Sequence, residues 1–255
     1  MNTVSYQLHG KPHTISAPSS WNEVSLSQLS AWITVLNANL PESEKLKLAV
    51  PIFYSLKSAH YKLIPDHYLI QFAPTLRFIF AESALTNWLL PKVRIGLQTF
   101  HGPADALSNL TAAEFFMYAE KLYWQYNAKP AADTLNALIA VLYREKRTGV
   151  VSNDLRCQLT DAGVAHRAKL MAKLPEVTRL AILFNYEGCR NFITGTHRKI
   201  FSGKGGQSKK RNDVTLALAG GPLGDLEKTR NTNLYDFLLH LEQLIEQEEK
   251  LREPS

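Results

Sequence analysis

The sequence contains little cysteine, and this scarcity excludes several classes of protein. Cys157 and Cys189 are the two cysteines among 255 residues, too few for the disulfide framework of a small secreted domain. They form no C-x-x-C pair, and the eight histidines include no H-E-x-x-H, so the common zinc motifs are missing. We therefore expect no metal and no other cofactor. Cys189 stands among apolar residues and is interpreted as a buried structural thiol.

Long apolar runs are also missing. No stretch approaches the roughly 18 apolar residues that a membrane-spanning helix requires. The first residues lack the basic and apolar regions of a secretory signal. Together with the scarcity of cysteine, these observations predict a protein that acts in a reducing compartment and has no membrane partner.

The motifs of nucleotide enzymes are missing as well, although glycine occurs in two clusters at 203–206 and 220–224. Neither cluster matches the phosphate-binding G-x-x-x-x-G-K-[ST] or the dinucleotide-binding G-x-G-x-x-G. Pro222 would also remove a backbone N–H where a phosphate needs a donor. The clusters are interpreted as a flexible basic loop at 202–213 and a tight turn. With no G-x-S-x-G motif either, the sequence predicts no catalytic residues and no enzymatic activity.

Positive charge is concentrated in one part of the chain. Residues 144–211 contain 15 Lys or Arg and 5 Asp or Glu, a balance of +10, so the remainder contributes −4 to the formal charge of +6. Such a segment favours an acidic partner or nucleic acid, although a solvated basic surface has the same composition. The densest positive group, the candidate contact to either partner, comprises Lys204, Lys209, Lys210 and Arg211.

The spacing of apolar residues predicts a mainly α protein with a small N-terminal β element. Residues 3–15 alternate around a turn at Gly10, which is typical of a β-hairpin. The alternating segment 92–103 is expected to add a strand to that hairpin. Ser25 with Gln28 and Thr111 with Glu114 have the spacing of capping boxes that begin helices.

Helical periodicity covers most of the remaining chain and divides it into two regions. Residues 1–110 are expected to contain the hairpin and a helical region punctuated by prolines, and residues 111–255 a second helical region. The two regions could also form one continuous domain. The last helix, predicted at 233–252, has an apolar first half expected to pack on the protein body. Its polar second half keeps Leu251 as a large apolar residue and is expected to project towards solvent or a partner.

The order of these segments resembles a known group of proteins. The stretch "APSSWNEVSLSQL" at 17–29 resembles the opening of many bacteriophage tail-assembly and related virion structural proteins. The blocks "GPADALSNLTAAEFFMYAEKLYWQY" and "LPEVTRLAILFNYEGCRNFI" are similar to segments of prophage-encoded proteins of the same kind. The resemblance spans most of the chain and implies a tail-module or virion-assembly role. It carries no catalytic residues to transfer.

We therefore expect a non-enzymatic tail-assembly chaperone or virion structural accessory protein that acts through protein–protein contacts. Its partner would be a tail or tape-measure-like protein, or a second copy of itself, in the host cytoplasm or the virion. The rival hypothesis is a basic nucleic-acid-associated protein of a phage or mobile element. A deep pocket with converging ionisable groups would instead favour an enzyme. The candidate partner-interface residues are Trp21, Trp32, Tyr123 and Trp124, each of which suits a protein core better, and Leu251 at the end of the last helix.

Overall fold

The computed structural model describes residues 1–147, 154–201 and 225–252. Within these residues the fold is mainly helical, with a small antiparallel sheet at the N-terminus, as the sequence predicts. No helix in this part of the chain is both long and apolar enough to cross a membrane. Both glycine clusters, and therefore the basic loop expected at 202–213, lie outside the described residues.

The β structure consists of two separate hairpins. Strands β1 (Asn2–Leu8) and β2 (Lys11–Ala17) pair antiparallel, and Gly10 in the turn between them has a φ of +74°, which glycine adopts without strain. Strands β3 (Lys92–Ile95) and β4 (Gln98–His101) pair antiparallel with each other, and His101 at the end of β4 also forms an antiparallel bridge with Arg144. The expectation that segment 92–103 joins the N-terminal hairpin was wrong, because a tight turn lets this segment fold back on itself.

The helices of the first half are short and bounded by prolines, as expected. Pro41 precedes one of them and Pro51 lies inside it without ending it. Pro74 stands in the first turn of a 3-10 segment, Ala73–Phe80, where its missing N–H costs nothing. The α-helices are α1 (Leu26–Leu36), α2 (Glu42–Phe53), α3 (Ser58–Tyr61) and α4 (Asp66–Phe72).

The helices of the second half are longer. The first begins as a π-helical turn, Glu114–Ala119, which is rare and often marks functional segments. It continues directly as an α-helix. The α-helices are α5 (Glu120–Ala128), α6 (Ala132–Leu142), α7 (Asp161–Met171), α8 (Glu176–Thr196), α9 (Arg198–Phe201), α10 (Leu226–Asn231) and α11 (Leu234–Arg252).

Both predicted capping boxes are confirmed. The Ser25 hydroxyl accepts from the backbone N–H of Gln28, and the Gln28 side chain accepts from the backbone N–H of Ser25 at 2.9 Å. The Thr111 hydroxyl accepts from the backbone N–H of Glu114 at 3.2 Å, and the Glu114 carboxylate accepts from that of Thr111 at 3.3 Å. Each pair satisfies backbone donors that a helix start leaves without partners.

The chain forms two compact units whose boundaries differ from the division at residue 110. The first unit comprises 1–89 and 176–188, and the second comprises 90–175 and 189–255. Helix α8 therefore supplies its first part to one unit and its remainder to the other.

The interior of the first unit is built from aromatic rings. Trp21 is 3% exposed, and its ring centroid lies 5.2 Å from that of Phe78 and 4.7 Å from that of Phe184. Phe53 joins the same cluster beside Trp32, with centroids 5.7 Å apart. The two contacts of Trp21 are edge-to-face, a geometry that adds to the free energy gained by burying the rings.

Helix α8 packs closely against segment 83–89 within the first unit. A methyl group on Gly188 would lie 2.5 Å from the carbonyl oxygen of Leu85, so the approach requires glycine. Asn185, one turn earlier, donates to the carbonyl oxygens of Leu85 and Asn87 and accepts from the backbone N–H of Leu89. These bonds satisfy backbone groups of a segment that contains neither helix nor strand.

Helix α11 is anchored in the second unit by its first half. The backbone N–H of Leu234 donates to Leu110, and the backbone N–H of Ala112 donates to Thr232. Leu234, Phe237 and Leu238 have no exposed surface. The first half of this helix therefore packs on its own unit, as the sequence predicts.

Candidate functional site

A tryptophan on helix α5 is the first feature of the second unit with the character of a binding residue. The Trp124 side chain is 46% exposed, whereas its neighbour Tyr123 is 8% exposed. The aromatic residues of this helix face several directions, and Trp124 is one that the protein interior leaves uncovered. A large exposed aromatic side chain is a frequent anchor in protein–protein interfaces.

The ring of Trp124 is held in place from two sides. Its Nε1–H donates to Glu120 Oε2 at 3.2 Å, and the guanidinium carbon of Arg190 lies 4.9 Å from its ring centroid. The same guanidinium lies 5.0 Å from the Tyr123 ring and donates from Nε to Glu120 Oε1 at 2.8 Å. Glu120 is 2% exposed, so a buried carboxylate binds both the arginine and the indole.

The second feature is a cleft of about 1060 Å³, also in the second unit. Its described walls come from segments within 104–118, 144–147, 154–159 and 226–233. Ionisable side chains converge on it, four arginines and three carboxylates. They are Glu114, Arg144, Arg147, Asp154, Arg156, Glu227 and Arg230.

Four of these groups form a buried ion network. The Glu114 carboxylate lies 2.6 Å from Arg144 and 3.3 Å from Arg156, measured between Oε1 and Nη1 and between Oε2 and Nη2. Asp154 accepts from Arg156 Nε at 2.8 Å and lies 3.5 Å from Arg144 Nη2. The two arginine side chains are each 1% exposed, so the desolvation of their charges is offset by these carboxylates.

The remaining donors of Arg156 hold the surrounding backbone. Its guanidinium donates to the carbonyl oxygens of Leu142 and Asn109, each at 3.1 Å. Asn109 in turn donates to Asp154 at 3.2 Å. The network therefore connects the segment before the π-helical turn, the end of α6 and the segment that follows residue 153.

The pKa shifts in the cleft favour fixed charges over proton transfer. Burial acts to raise the pKa of Asp154, but the hydrogen bonds and charge of Arg156 outweigh it and hold that pKa below its ordinary value. Burial, and then the charge of Arg156, lower the pKa of Arg144, while Glu114 counteracts both. The Asp154 carboxylate consequently stays ionised at neutral pH and paired with arginine.

The thiol of Cys157 also lines this cleft. Burial raises its pKa, and the neighbouring carboxylate of Glu145 raises it further, so the protonated form dominates at neutral pH and is a poor nucleophile. Cys189 has no exposed surface, in agreement with a structural thiol. Among residues 1–147, 154–201 and 225–252, no group of three or more His, Cys, Asp or Glu side chains could hold a metal ion.

The other predicted site residues occupy different environments. Trp21 and Trp32 are 3% and 2% exposed in the aromatic interior of the first unit and serve as core there. Leu251, near the end of α11, is 86% exposed. The basic residues proposed to contact nucleic acid or an acidic partner lie outside the described residues: Lys204, Lys209, Lys210 and Arg211.

Trp124 was among the candidate interface residues expected from the sequence. The side chains that hold the Trp124 ring were not predicted, and neither was the ion network. Glu114 was recognised for its capping role, and the structure adds a second role as the carboxylate between two arginines. Arg144 comes two residues after the end of the apolar helix α6, a position that suggests a solvated basic end. The one available signal was the apolar stretch 138–143 before it, which places Arg144 next to the core.

Comparisons with known proteins identify no relative. No protein-family model, no curated protein and no solved structure matches the chain.

Proposed function

We propose that the protein is a non-enzymatic accessory protein of a phage-like tail, acting as an assembly chaperone or virion component that binds another protein. The observation that carries the protein-binding part is the exposed and immobilised Trp124. The tail-assembly part derives from the sequence resemblance of segments 17–29, 102–126 and 174–193. The two parts can be tested separately.

The geometry around Trp124 supports a preformed binding anchor. A flexible surface tryptophan loses rotational freedom when a partner covers it, and that loss weakens binding. Here the indole is already restrained by Glu120 and Arg190, so less freedom remains to be lost. Tryptophan and arginine are also the residues most enriched among those that dominate interface energies.

The ion pair beneath the indole supports the same proposal. Glu120 and Arg190 are almost completely buried, with side-chain exposures of 2% and 12%. Burying such a pair is costly unless its geometry is good, and stability alone would be served equally well by apolar side chains. A pair that aligns an exposed ring has a role in presenting that ring to a partner.

An assembly chaperone of this kind would shield apolar surface on a tail polypeptide until assembly. Trp124 would insert between apolar side chains of the partner, in the manner of a helix that docks through a few large anchors. In the cleft, Asp154 is paired with arginine and has a lowered pKa, and the raised pKa of Cys157 keeps that thiol protonated at neutral pH. We therefore favour binding over catalysis for this protein.

The test is a pull-down of the proteins encoded by the neighbouring genes, among which we expect a tail-tube or tape-measure protein, with wild-type protein and with Trp124→Ala. We expect the substitution to weaken capture by at least about tenfold, which corresponds to roughly 1.4 kcal/mol of binding free energy. Phe80→Ala is the matched control, because Phe80 is 58% exposed in the first unit and should not affect capture.

Two results would refute the proposal. One is that folded Trp124→Ala captures the tail protein as well as wild type does. The other is that no tail protein is captured while DNA binds with the steep salt dependence of phosphate contacts. The second result would favour the rival hypothesis of a nucleic-acid-associated protein.

A further inference from the structure

The charged groups of the cleft divide into a floor of ion pairs and a rim whose cations form no ion pair with other described residues. The floor is the ion network of Glu114, Arg144, Arg156 and Asp154, whose charges neutralise one another. On the floor, the buried Nε of Arg144 has no acceptor in the described part of the chain. At the rim, the side chains of Arg147, Arg230, Gln158 and Asn231 form no hydrogen bond or ion pair with other described residues.

Donors dominate this rim. Arg147 and Arg230 are cations, and the buried Nε of Arg230 has no acceptor in the described part of the chain. Among the described rim residues, Glu227 is the one carboxylate that opposes this charge. A fitting ligand must therefore contribute acceptors, and arginine binds carboxylates with paired, geometrically specific hydrogen bonds.

The rest of the rim suits an extended peptide. The amides of Gln158 and Asn231 are exposed and can each donate to and accept from a peptide backbone. Met117, Leu159 and Leu226 are half-buried and line the same cleft. They offer apolar surface beside the arginines, and methionine adapts readily to different side chains.

Nucleic acid fits the cleft less well. Tyr118 is the aromatic residue of the described lining, and its hydroxyl is engaged by Asp161 at 2.9 Å. Proteins that bind single strands combine a strongly positive groove with several rings on which bases stack. Four arginines against three carboxylates give this cleft too small an excess of positive charge for that role.

We propose that the cleft binds an extended acidic peptide segment of a partner protein, with Asp or Glu side chains on Arg147 and Arg230 and an apolar side chain against Met117 and Leu159. The inference rests on the proposed function only in that the segment belongs to a protein partner. The ion network at the floor fixes the cleft walls and does not itself contact the peptide carboxylates.

The experiment is a selection of random peptides displayed on yeast, with the full-length protein as bait. We expect enriched peptides to carry Asp or Glu beside Leu or Met. One enriched peptide, synthesised with a fluorophore, should bind wild-type protein and lose at least about tenfold in affinity on Arg147→Gln/Arg230→Gln. Replacing its acidic residues with Asn and Gln should have the same effect.

The matched control is Arg77→Gln/Arg94→Gln, which removes the same charge from two exposed arginines outside the cleft and should leave the affinity unchanged. If the cleft double variant does not fold, Arg147→Glu alone is measured, because Arg147 is exposed. Enrichment without acidic residues, or binding unaffected by the cleft variants, overturns the proposal. Binding of single-stranded oligothymidine that the cleft variants abolish also overturns it, in favour of nucleic acid.

This experiment can fail independently of the proposed function. The peptide assay contains no tail protein and does not involve Trp124. Retained capture of a tail protein with no acidic peptide selected would refute the cleft proposal alone. An acidic peptide selected with no tail protein captured would refute the tail-assembly role alone.

Discussion

The interiors of the two units are stabilised by different chemistry. In the first unit, Trp21, Trp32 and Phe53 contact other aromatic rings, and none of its described charged side chains is buried. In the second unit, buried arginines and glutamates are embedded among apolar residues. They are Glu114, Glu120, Arg144, Arg156 and Arg167.

This difference favours a role other than stability for the buried charges of the second unit. An apolar interior forms from any sequence with suitable volumes and periodicity. A buried ion network is often no more stable than apolar residues of the same size, although breaking it is costly. The charges are consistent with a role in shaping the cleft and in positioning Trp124, so the second unit is the better place to seek the binding sites.

The largest expected effect follows from removing the central carboxylate of the network. Glu114→Gln keeps an acceptor for the backbone N–H of Thr111 but leaves Arg144 and Arg156 without their shared countercharge. We expect the free energy of unfolding to fall by about 3–5 kcal/mol, the range for broken buried ion pairs. Urea unfolding followed by circular dichroism measures it.

The control for this prediction is Glu82→Gln, which removes a carboxylate that is exposed in the first unit and should leave the unfolding midpoint where it is. A Glu114→Gln protein as stable as wild type would mean that the network does not hold the second unit together. The buried charges of the second unit would then make no measurable contribution to the free energy of unfolding, and the two interiors would not differ in this respect.

The second prediction compares how the stability contributed by each interior depends on pH. The pKa of Asp154 is lowered in the folded protein from its ordinary value of 3.8, so its contribution to stability is present above pH 3.8 and is lost as the pH falls below that value. Asp154→Asn should therefore cost about 1–2 kcal/mol at pH 6. That cost should shrink at pH values below 3.8.

Leu29→Ala supplies the comparison from the first unit. Leu29 is a fully buried apolar residue, and its loss should cost about 2–5 kcal/mol. Because no charge is involved, the cost should be the same at both pH values. Urea unfolding of wild type and both variants, at pH 6 and below 3.8, gives the two differences. A constant cost for Asp154→Asn would contradict the lowered pKa.

Local signals made much of the fold predictable. The capping residues Ser25 and Thr111 and the prolines 41, 65 and 74 act within a turn of their own position, so their effects are visible in the sequence. The apolar half of α11 was recognisable for the same reason. The predicted pairing of segment 92–103 with the N-terminal hairpin required knowledge of a distant partner, and there the expectation was wrong.

The candidate sites depend on distant contacts and were only partly predictable. Arg190 reaches Glu120 across 70 residues of chain, and no spacing rule connects them. Arg156 and Glu114 are 42 residues apart and meet because α6 and the π-helical turn pack together. A tryptophan in a helix with aromatic residues on nearly every face gives no sign of which ring stays exposed, so Trp124 was one candidate among several.

The smallest expected effect on stability concerns the end of α11. Leu234 and Phe237 are fully buried, whereas Leu251 is 86% exposed. The other side chains that the structure describes beyond residue 246 are also exposed. Deleting residues 247–255 should therefore shift the melting temperature by no more than about 1 °C, because the described side chains that the deletion removes are exposed. If the exposed end contacts the tail partner, the same deletion should weaken capture in the pull-down. Capture equal to that of wild type would remove Leu251 from the interface and leave Trp124 as its anchor. A large loss of melting temperature would instead show that the helix end stabilises the second unit, and the division of α11 into a packed half and a projecting half would be wrong.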